Sequence, residues 1–293
     1  MRLTKKTKTK FLILIVLSSI LYSGIHYLRL THYTQNVENS QFTIIGHRGA
    51  AGSAPENTMA AIDRGLKMGA DILEIDVHLT RDGHLCVMHD KKVDRTTNGH
   101  GKIKDLTWDQ IQKLDAGGWY SDTFKNEKVP SLGQVIEKIN GKSQLLIEIK
   151  KGTPYYPQIE EKVLETIHRL KAKKWCIIQS FNMKLLQHIH KLDPEIRLQK
   201  LEIFVIPSLH LSFDGTVRHF DPVKNNFFES YNINYFFLTS SIIKHIHNSN
   251  KSVYVWTANS VPVIKRMINM GADGLITNHP RIAKKLRTDT SAL

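Results

Sequence analysis

Glu74 and Asp76 alternate with Leu73, Ile75 and Val77 in a chain of 293 residues, and that alternation is the first sign of chemistry in it. In a β-strand, positions i and i+2 share a face. Two carboxylates on one face of an apolar strand cannot both stay ionised in a core without a partner, because burying a bare charge is costly. A hard divalent cation with oxygen ligands, Mg²⁺ or Ca²⁺, resolves that cost. Salt bridges to Arg or Lys are the alternative. Glu148 repeats the pattern in Leu145-Leu146-Ile147-Glu148-Ile149-Lys150, where an apolar strand again ends in charges at i and i+2. Glu74, Asp76 and Glu148 are therefore the candidate ligands of one cation, and Lys150 would offset the charge of a bound phosphate.

His47 and His89 each close an apolar run, Phe42–Ile45 and Leu85–Met88. Their ordinary pKa lies near neutrality, so one suits a general base and the other a general acid. Arg48 beside His47 offers a forked donor for phosphate, and Gly46 and Gly49 would let backbone approach a ligand. In Ala54-Pro55-Glu56-Asn57-Thr58, Asn57 reads as a helix N-cap, and Glu56 is placed to hydrogen-bond a catalytic histidine or a substrate hydroxyl. Trp256 would wall the pocket from the end of a late strand or pack in the core.

The elements that must position these groups alternate. Apolar runs at 42–46, 71–77, 144–149, 175–179, 197–201, 234–238, 252–256 and 273–276 read as strands. Amphipathic segments lie between most of them, at 57–68, 133–140, 157–171, 182–191, 240–249, 261–270 and 280–287. Eight strands with intervening helices predict a parallel sheet closed into a TIM (β/α)8 barrel, whose active site lies at the carboxyl ends of the strands. Residues 84–132 do not fit one βα unit and read as a small insertion after strand two, lying over the mouth. The connection over 202–233 is long and poorly patterned.

Composition excludes a disordered chain: 41% of residues are hydrophobic and 23% charged. The net charge is +14, and the first 41 residues carry six bases and one acid. A basic balance suits nucleic acid, an anionic membrane or phosphorylated substrates. No basic helix with interleaved aromatics, RNP-like pattern or zinc-finger spacing is present, so nucleic acid is set aside as a partner. Cys86 and Cys176 each sit in an apolar run and read as buried, inert thiols.

Residues 1–10 form a basic tail ahead of Phe11–Leu28, eighteen residues without Asp, Glu, Lys or Arg. A span over 11–30 reads as an uncleaved transmembrane signal anchor, because Leu21 and Tyr22 stand where a cleavage site wants small residues. Five bases precede it and only Arg29 follows closely, which places the amino terminus in the cytosol and the 42–290 domain on the extracytoplasmic face. Residues 31–41 form a short polar tether.

Taken together, the motifs resemble the glycerophosphodiester phosphodiesterase family. They run in order from His47-Arg48-Gly49 and Pro55-Glu56-Asn57-Thr58 through Glu74-Ile75-Asp76-Val77, Thr80-Arg81-Asp82-Gly83, His89-Asp90 and Arg95-Thr96-Thr97. Glu148-Ile149-Lys150, Trp256-Thr257-Ala258-Asn259, Gly271-Ala272-Asp273-Gly274 and Thr277-Asn278-His279-Pro280 complete the series. The resemblance implies a TIM barrel with a small insertion and a divalent cation held by Glu74, Asp76 and Glu148. It implies His47 and His89 as catalytic base and acid, with Arg48 and Lys150 on the phosphate. The implied reaction is hydrolysis of a glycerophosphodiester to glycerol 3-phosphate and an alcohol. Cleavage of lysophospholipids or of a glycerophosphate polymer at the membrane, and a non-catalytic headgroup-binding barrel, are the alternatives.

Overall fold

The computed structural model describes residues 41–288. The expected anchor, tail and most of the tether lie outside the described residues. Among those described, no helix is long and apolar enough to cross a membrane.

The barrel strands are β1 (Thr43–Gly46), β2 (Ile72–Leu79), β4 (Gln144–Ile149), β5 (Cys176–Ser180), β6 (Arg197–Glu202), β10 (Ser230–Asn234), β11 (Ser252–Trp256) and β12 (Gly274–Thr277). All eight run parallel in that order, and β1 pairs with both β12 and β2 to close the ring. Between them, β3 (Leu85–Val87) lies antiparallel on β2. Strands β7 (Phe204–Ile206), β8 (Leu211–Phe213) and β9 (Val217–His219) form a separate antiparallel sheet. The helices are α1 (Met59–Met68), α2 (Trp108–Gln112), α3 (Leu132–Ile139), α4 (Ile159–Arg169), α5 (Met183–Leu192), α6 (Ser240–His247), α7 (Val261–Asn269) and α8 (Pro280–Thr288).

Strand β2 shows how alternation becomes architecture. All eight of its residues are buried. Leu73, Ile75, Val77 and Leu79 join the core packed against the surrounding helices. The intervening set points into the barrel. There Ile72 joins Ile45, Leu146, Ile177 and Ile276 in an apolar floor. Above that floor come Glu74, then Asp76, then His78, toward the carboxyl end.

Helix ends follow local chemistry. Ser131 and Thr107 make reciprocal capping boxes with Gln134 and Gln110, each cap contributing about 1 kcal/mol. Gly69 ends α1 in the left-handed region, where an L side chain would be strained. Gly271 repeats that turn after α7, and the following Asp71 and Asp273 each accept a backbone N–H at a strand start, from Ile44 and Val253.

The structure differs from the sequence reading at strand six, which is Ser230–Asn234 and not 234–238. Tyr235–Phe237, expected as strand, is a single 3₁₀ turn. The true strand was disguised because its inward positions, Ser230 and Asn232, are polar and paired with each other and with interior glutamines. No helix fills the 202–233 connection; the β7–β9 sheet stands there instead. The insertion folds around its own small core of Cys86, Met88, Val93, Ile103, Ile111, Ala116 and Val129. Burial pushes the thiols of both Cys86 and Cys176 up to about 12, so neither is a nucleophile.

Candidate active site

Strand register brings the acids together. Asp76 on β2 lies opposite Glu148 on β4, and Glu148 lies opposite Gln179 on β5. One oxygen from each of Glu74, Asp76 and Glu148 falls within 4.8 Å of the others, and all three residues are buried. Glu74 accepts the Arg48 backbone N–H at 2.9 Å and the Gln179 amide at 3.4 Å. Asp76 Oδ2 accepts the Asn57 amide at 2.8 Å, while its Oδ1 is buried without a hydrogen-bond partner. Lys150 Nζ stands 2.8 Å from Glu148 and 3.4 Å from Asp76.

These surroundings divide the three carboxyls. Burial, then the charges of Asp76 and Glu148, raises Glu74 well above the usual carboxylate range. Burial outweighs Lys150 at Glu148 and pushes it up to about 7. Asp76 is buried too, but Lys150, Arg48 and the Asn57 amide overcome that burial and hold it well below its usual value. A cluster of this kind, with a spare buried oxygen, fits a hard divalent cation.

Two histidines flank the cluster. His47 Nδ1 lies 2.6 Å from Asn278 Oδ1. An amide oxygen only accepts, so Nδ1 carries the proton and Nε2 has a free lone pair. Burial, then Arg48, lowers this imidazole to about 4, leaving it neutral at physiological pH. His89 Nδ1 lies 2.7 Å from Asp90 Oδ1; burial, with Lys150 and Arg48, outweighs Asp76 and this partner and lowers the imidazole below its usual value. His78, buried on β2, donates from Nε2 to the His89 carbonyl and accepts from the Tyr156 hydroxyl, which fixes the backbone under His89.

A cavity of about 560 Å³ opens beside this cluster, lined by His78, His89, Glu148, Lys150, Phe181 and Ile203 among others, with Lys91, Lys92 and Lys151 at its edge. Residues 47–282 match the profile of the glycerophosphoryl diester phosphodiesterase family.

The chain belongs to the glycerophosphoryl diester phosphodiesterase family. The glycerophosphodiester phosphodiesterase of Caldanaerobacter subterraneus is 37% identical over 239 residues, covering 81% of this chain and 94% of that protein. The crystal structure of a glycerophosphodiester phosphodiesterase from Agrobacterium tumefaciens superposes with a TM-score of 0.68 at 27% identity, covering 83% of this chain and 98% of that one. An Oleispira antarctica phosphodiesterase, solved in complex with the product sn-glycerol-3-phosphate, gives a TM-score of 0.73 at 25% identity and covers 83% and 96%.

Several residues of this phosphodiesterase stand differently from the sequence reading. Asn57 is not the N-cap; Thr58 is, accepting the Ala61 N–H. Asn57 instead adopts a left-handed backbone and clasps Asp76 with both ends of its amide. Glu56 touches no histidine, because Arg48 and Arg95 occupy its oxygens at 2.6 and 2.7 Å. Gly46 and Gly49 admit the protein's own backbone and not a ligand: a Cβ on Gly46 would meet the Gly49 carbonyl, and one on Gly49 would come within 2.6 Å of Ala61. Trp256 turns inward, donating to the Asn232 carbonyl at 2.9 Å and packing edge-on against Phe181. Among the aromatic residues between Phe227 and Phe237, Phe228 and Tyr231 are core residues.

Arg95 belongs to the Arg95-Thr96-Thr97 motif, and only the fold reveals what it does. Its guanidinium bridges Glu56 and Asp90, joining the Arg48 side of the site to the His89 side. It is partly exposed, so its effect on stability is small after solvent screening. Its effect on His89 runs through the orientation of Asp90. Arg95→Ala is expected to lower kcat roughly tenfold with little change in melting temperature. Arg95→Lys should not restore kcat, since a point charge cannot span two carboxylates. Steady-state kinetics alongside a melting curve check both, and an unchanged kcat would show that Asp90 holds its position unaided.

Proposed function

We propose that this phosphodiesterase carries out metal-dependent hydrolysis of glycerophosphodiesters to glycerol 3-phosphate and an alcohol, as a step in phospholipid headgroup catabolism. The observation that carries the reading is the buried Glu74–Asp76–Glu148 cluster flanked by two imidazoles of unlike surroundings. One divalent cation, Mg²⁺ or Ca²⁺, would be held by those three carboxylates and would polarise the phosphoryl oxygens as a Lewis acid. Lys150 and Arg48 hold the phosphate; Arg48 Nε makes no hydrogen bond and stands 3.5 Å from Asp76 Oδ2, at the edge of the acidic cluster. His47, neutral and with Nε2 free, takes the proton from the attacking hydroxyl, whether of water or of the glycerol itself. His89, backed by Asp90, returns a proton to the departing alcohol oxygen.

The same cleavage on a lysophospholipid or glycerophosphate polymer is the second reading, favoured by Phe181 and Ile203 on the cavity wall. The uncharged Phe11–Leu28 segment supports placing the enzyme as a single-pass membrane protein with its barrel on the extracytoplasmic face. A substrate panel with product identification, run with each ion, tests the reading. Glycerol 3-phosphate with free choline or glycerol is the expected outcome. Lysophosphatidate as the dominant product supports the second reading, and no hydrolysis of any diester would sink both.

A further inference from the structure

The sheet formed by β7, β8 and β9 has two unlike faces. Register places Phe204, Phe213 and Val217 in one row and Ile206, Leu211 and His219 in the next, all on the same side. The opposite side carries Val205, Ser212 and Arg218, and of these Val205 belongs to the main core. The first side is thus the outer one, and it is apolar in five of six positions. Val217 is 69% exposed and Ile206 36%, with Leu209 at the turn 62% and the adjoining Phe237 40%. A contiguous apolar surface of this kind on a soluble face marks an interaction site.

Its mounting is rigid. Asp214, in the β8–β9 turn, accepts from Arg218 and from Lys200, a fully buried side chain of β6 whose ammonium also bonds the Phe181 carbonyl. Asp214 and Ile203 line the same cavity as Lys91, Lys92 and Lys151. These three exposed lysines have no carboxylate within ion-pair distance among the described residues. An apolar tip beside an uncompensated basic rim complements an anionic lipid surface, which takes apolar side chains into its interface and attracts lysines to its phosphates. A second copy of the chain fits less well, since a two-fold contact would set the same lysines against each other.

We propose that the outer face of the β7–β9 sheet docks on an anionic bilayer and presents the active-site cavity to it. The docking deepens the membrane-face reading of the function and rests on it for substrate access alone. Strand β1 begins at the opposite end of the barrel from the mouth. The eleven tether residues, 31–41, reach at most ~40 Å when extended, against ~26 Å for an eight-residue strand, so attachment and docking are compatible.

The test uses the full-length chain reconstituted in phosphatidylglycerol-containing vesicles, with an environment-sensitive NBD label on V217C or L209C. The native cysteines are buried and do not compete for label. Lys191→Cys, exposed in the last turn of α5 at the far end of the barrel, is the control. Expected are a blue shift at positions 209 and 217 and quenching there by brominated lipid, with neither at 191. A solvent-like spectrum at 209 and 217 in vesicle-bound protein overturns the proposal. So does a blue shift that brominated lipid fails to quench, which would mean that residues 1–40 or a second copy cover the face. In kinetics, Val217→Asp should raise KM for a vesicle-borne lysophospholipid roughly tenfold and leave hydrolysis of soluble glycerophosphocholine unchanged. Absence of all hydrolysis by the unmodified chain would sink the enzymatic reading while leaving the fluorescence result to decide the docking.

Discussion

Alanine at His47 or at His89 is expected to lower kcat by about 10²–10⁴-fold while the protein stays folded. The loss is expected to be large because, in the proposed mechanism, each ring moves a proton at an oxygen whose bond to phosphorus is forming or breaking. Retention of the fold follows from position. Both rings stand at the mouth, each with one side-chain bond, to Asn278 and to Asp90, and neither belongs to the apolar core. The two variants should differ in kind. His47 sits beside Arg48 with its lone pair free, so its loss removes the base. Asp90 engages His89 Nδ1 and leaves Nε2 to deliver the proton to the departing alcohol, so the loss of His89 should be felt most with poor leaving alcohols. Steady-state turnover on an activated and an unactivated diester, beside a melting curve, measures both. Wild-type kcat in either variant would remove that histidine from the chemistry.

Chelation carries the second large effect. Dialysis against excess EDTA should abolish turnover, and Mg²⁺ or Ca²⁺ should restore it. Glu148→Gln should require far more cation for the same rate, because a neutral amide is a weak ligand. The sign of the pH effect is fixed by the folded carboxyls. Glu74 is raised above 4.5 and Glu148 is pushed up to about 7, so these two carboxyls bind more protons in the cation-free fold than in the unfolded chain in that window. The stability that these two carboxyls contribute is fully present below about 4.5 and is lost as pH rises through about 7. A cation must displace those protons, so it binds better as pH rises. The melting-temperature gain on adding cation should therefore grow between about pH 5 and pH 8. An equal gain at both ends, or full activity after dialysis, would refute the metal assignment.

The parts of the molecule that were legible in sequence are those governed by period. Glu74, Asp76 and Glu148 stood out because charge at alternate positions in an apolar strand has few explanations, and seven of the eight barrel strands were found, the polar β6 among them through its place in the alternation of strands and helices. Strand β10 was not, since its inward face carries Ser230 and Asn232, and a polar interior reads locally as a loop. Asn57 was placed wrongly for a similar reason: Asx residues before helices cap them so often that a clasp on Asp76 leaves no separate trace. Arg95 and His78 act through partners distant in sequence, Glu56 and Tyr156, so no local pattern reports them. The β7–β9 sheet was missed because its strands are three residues long.

The polar residues within the barrel form one continuous thread. Arg197 holds Glu229, Glu229 accepts from Gln199, Asn232 donates to both Gln199 and Gln179, and Gln179 donates to Glu74. An amide presents a donor at one end and an acceptor at the other, so fixing either terminus dictates the sense of every link between. The carboxylate of Glu229 sets one terminus at the base of the barrel, and Glu74 reads the other at the top. A protein with glutamine in place of Glu229 would have its sense fixed from the Glu74 terminus alone. The barrel wall is thus also an orienting device, in which a surface ion pair at the closed end and a carboxylate of the acidic cluster agree on the sense of every amide between them.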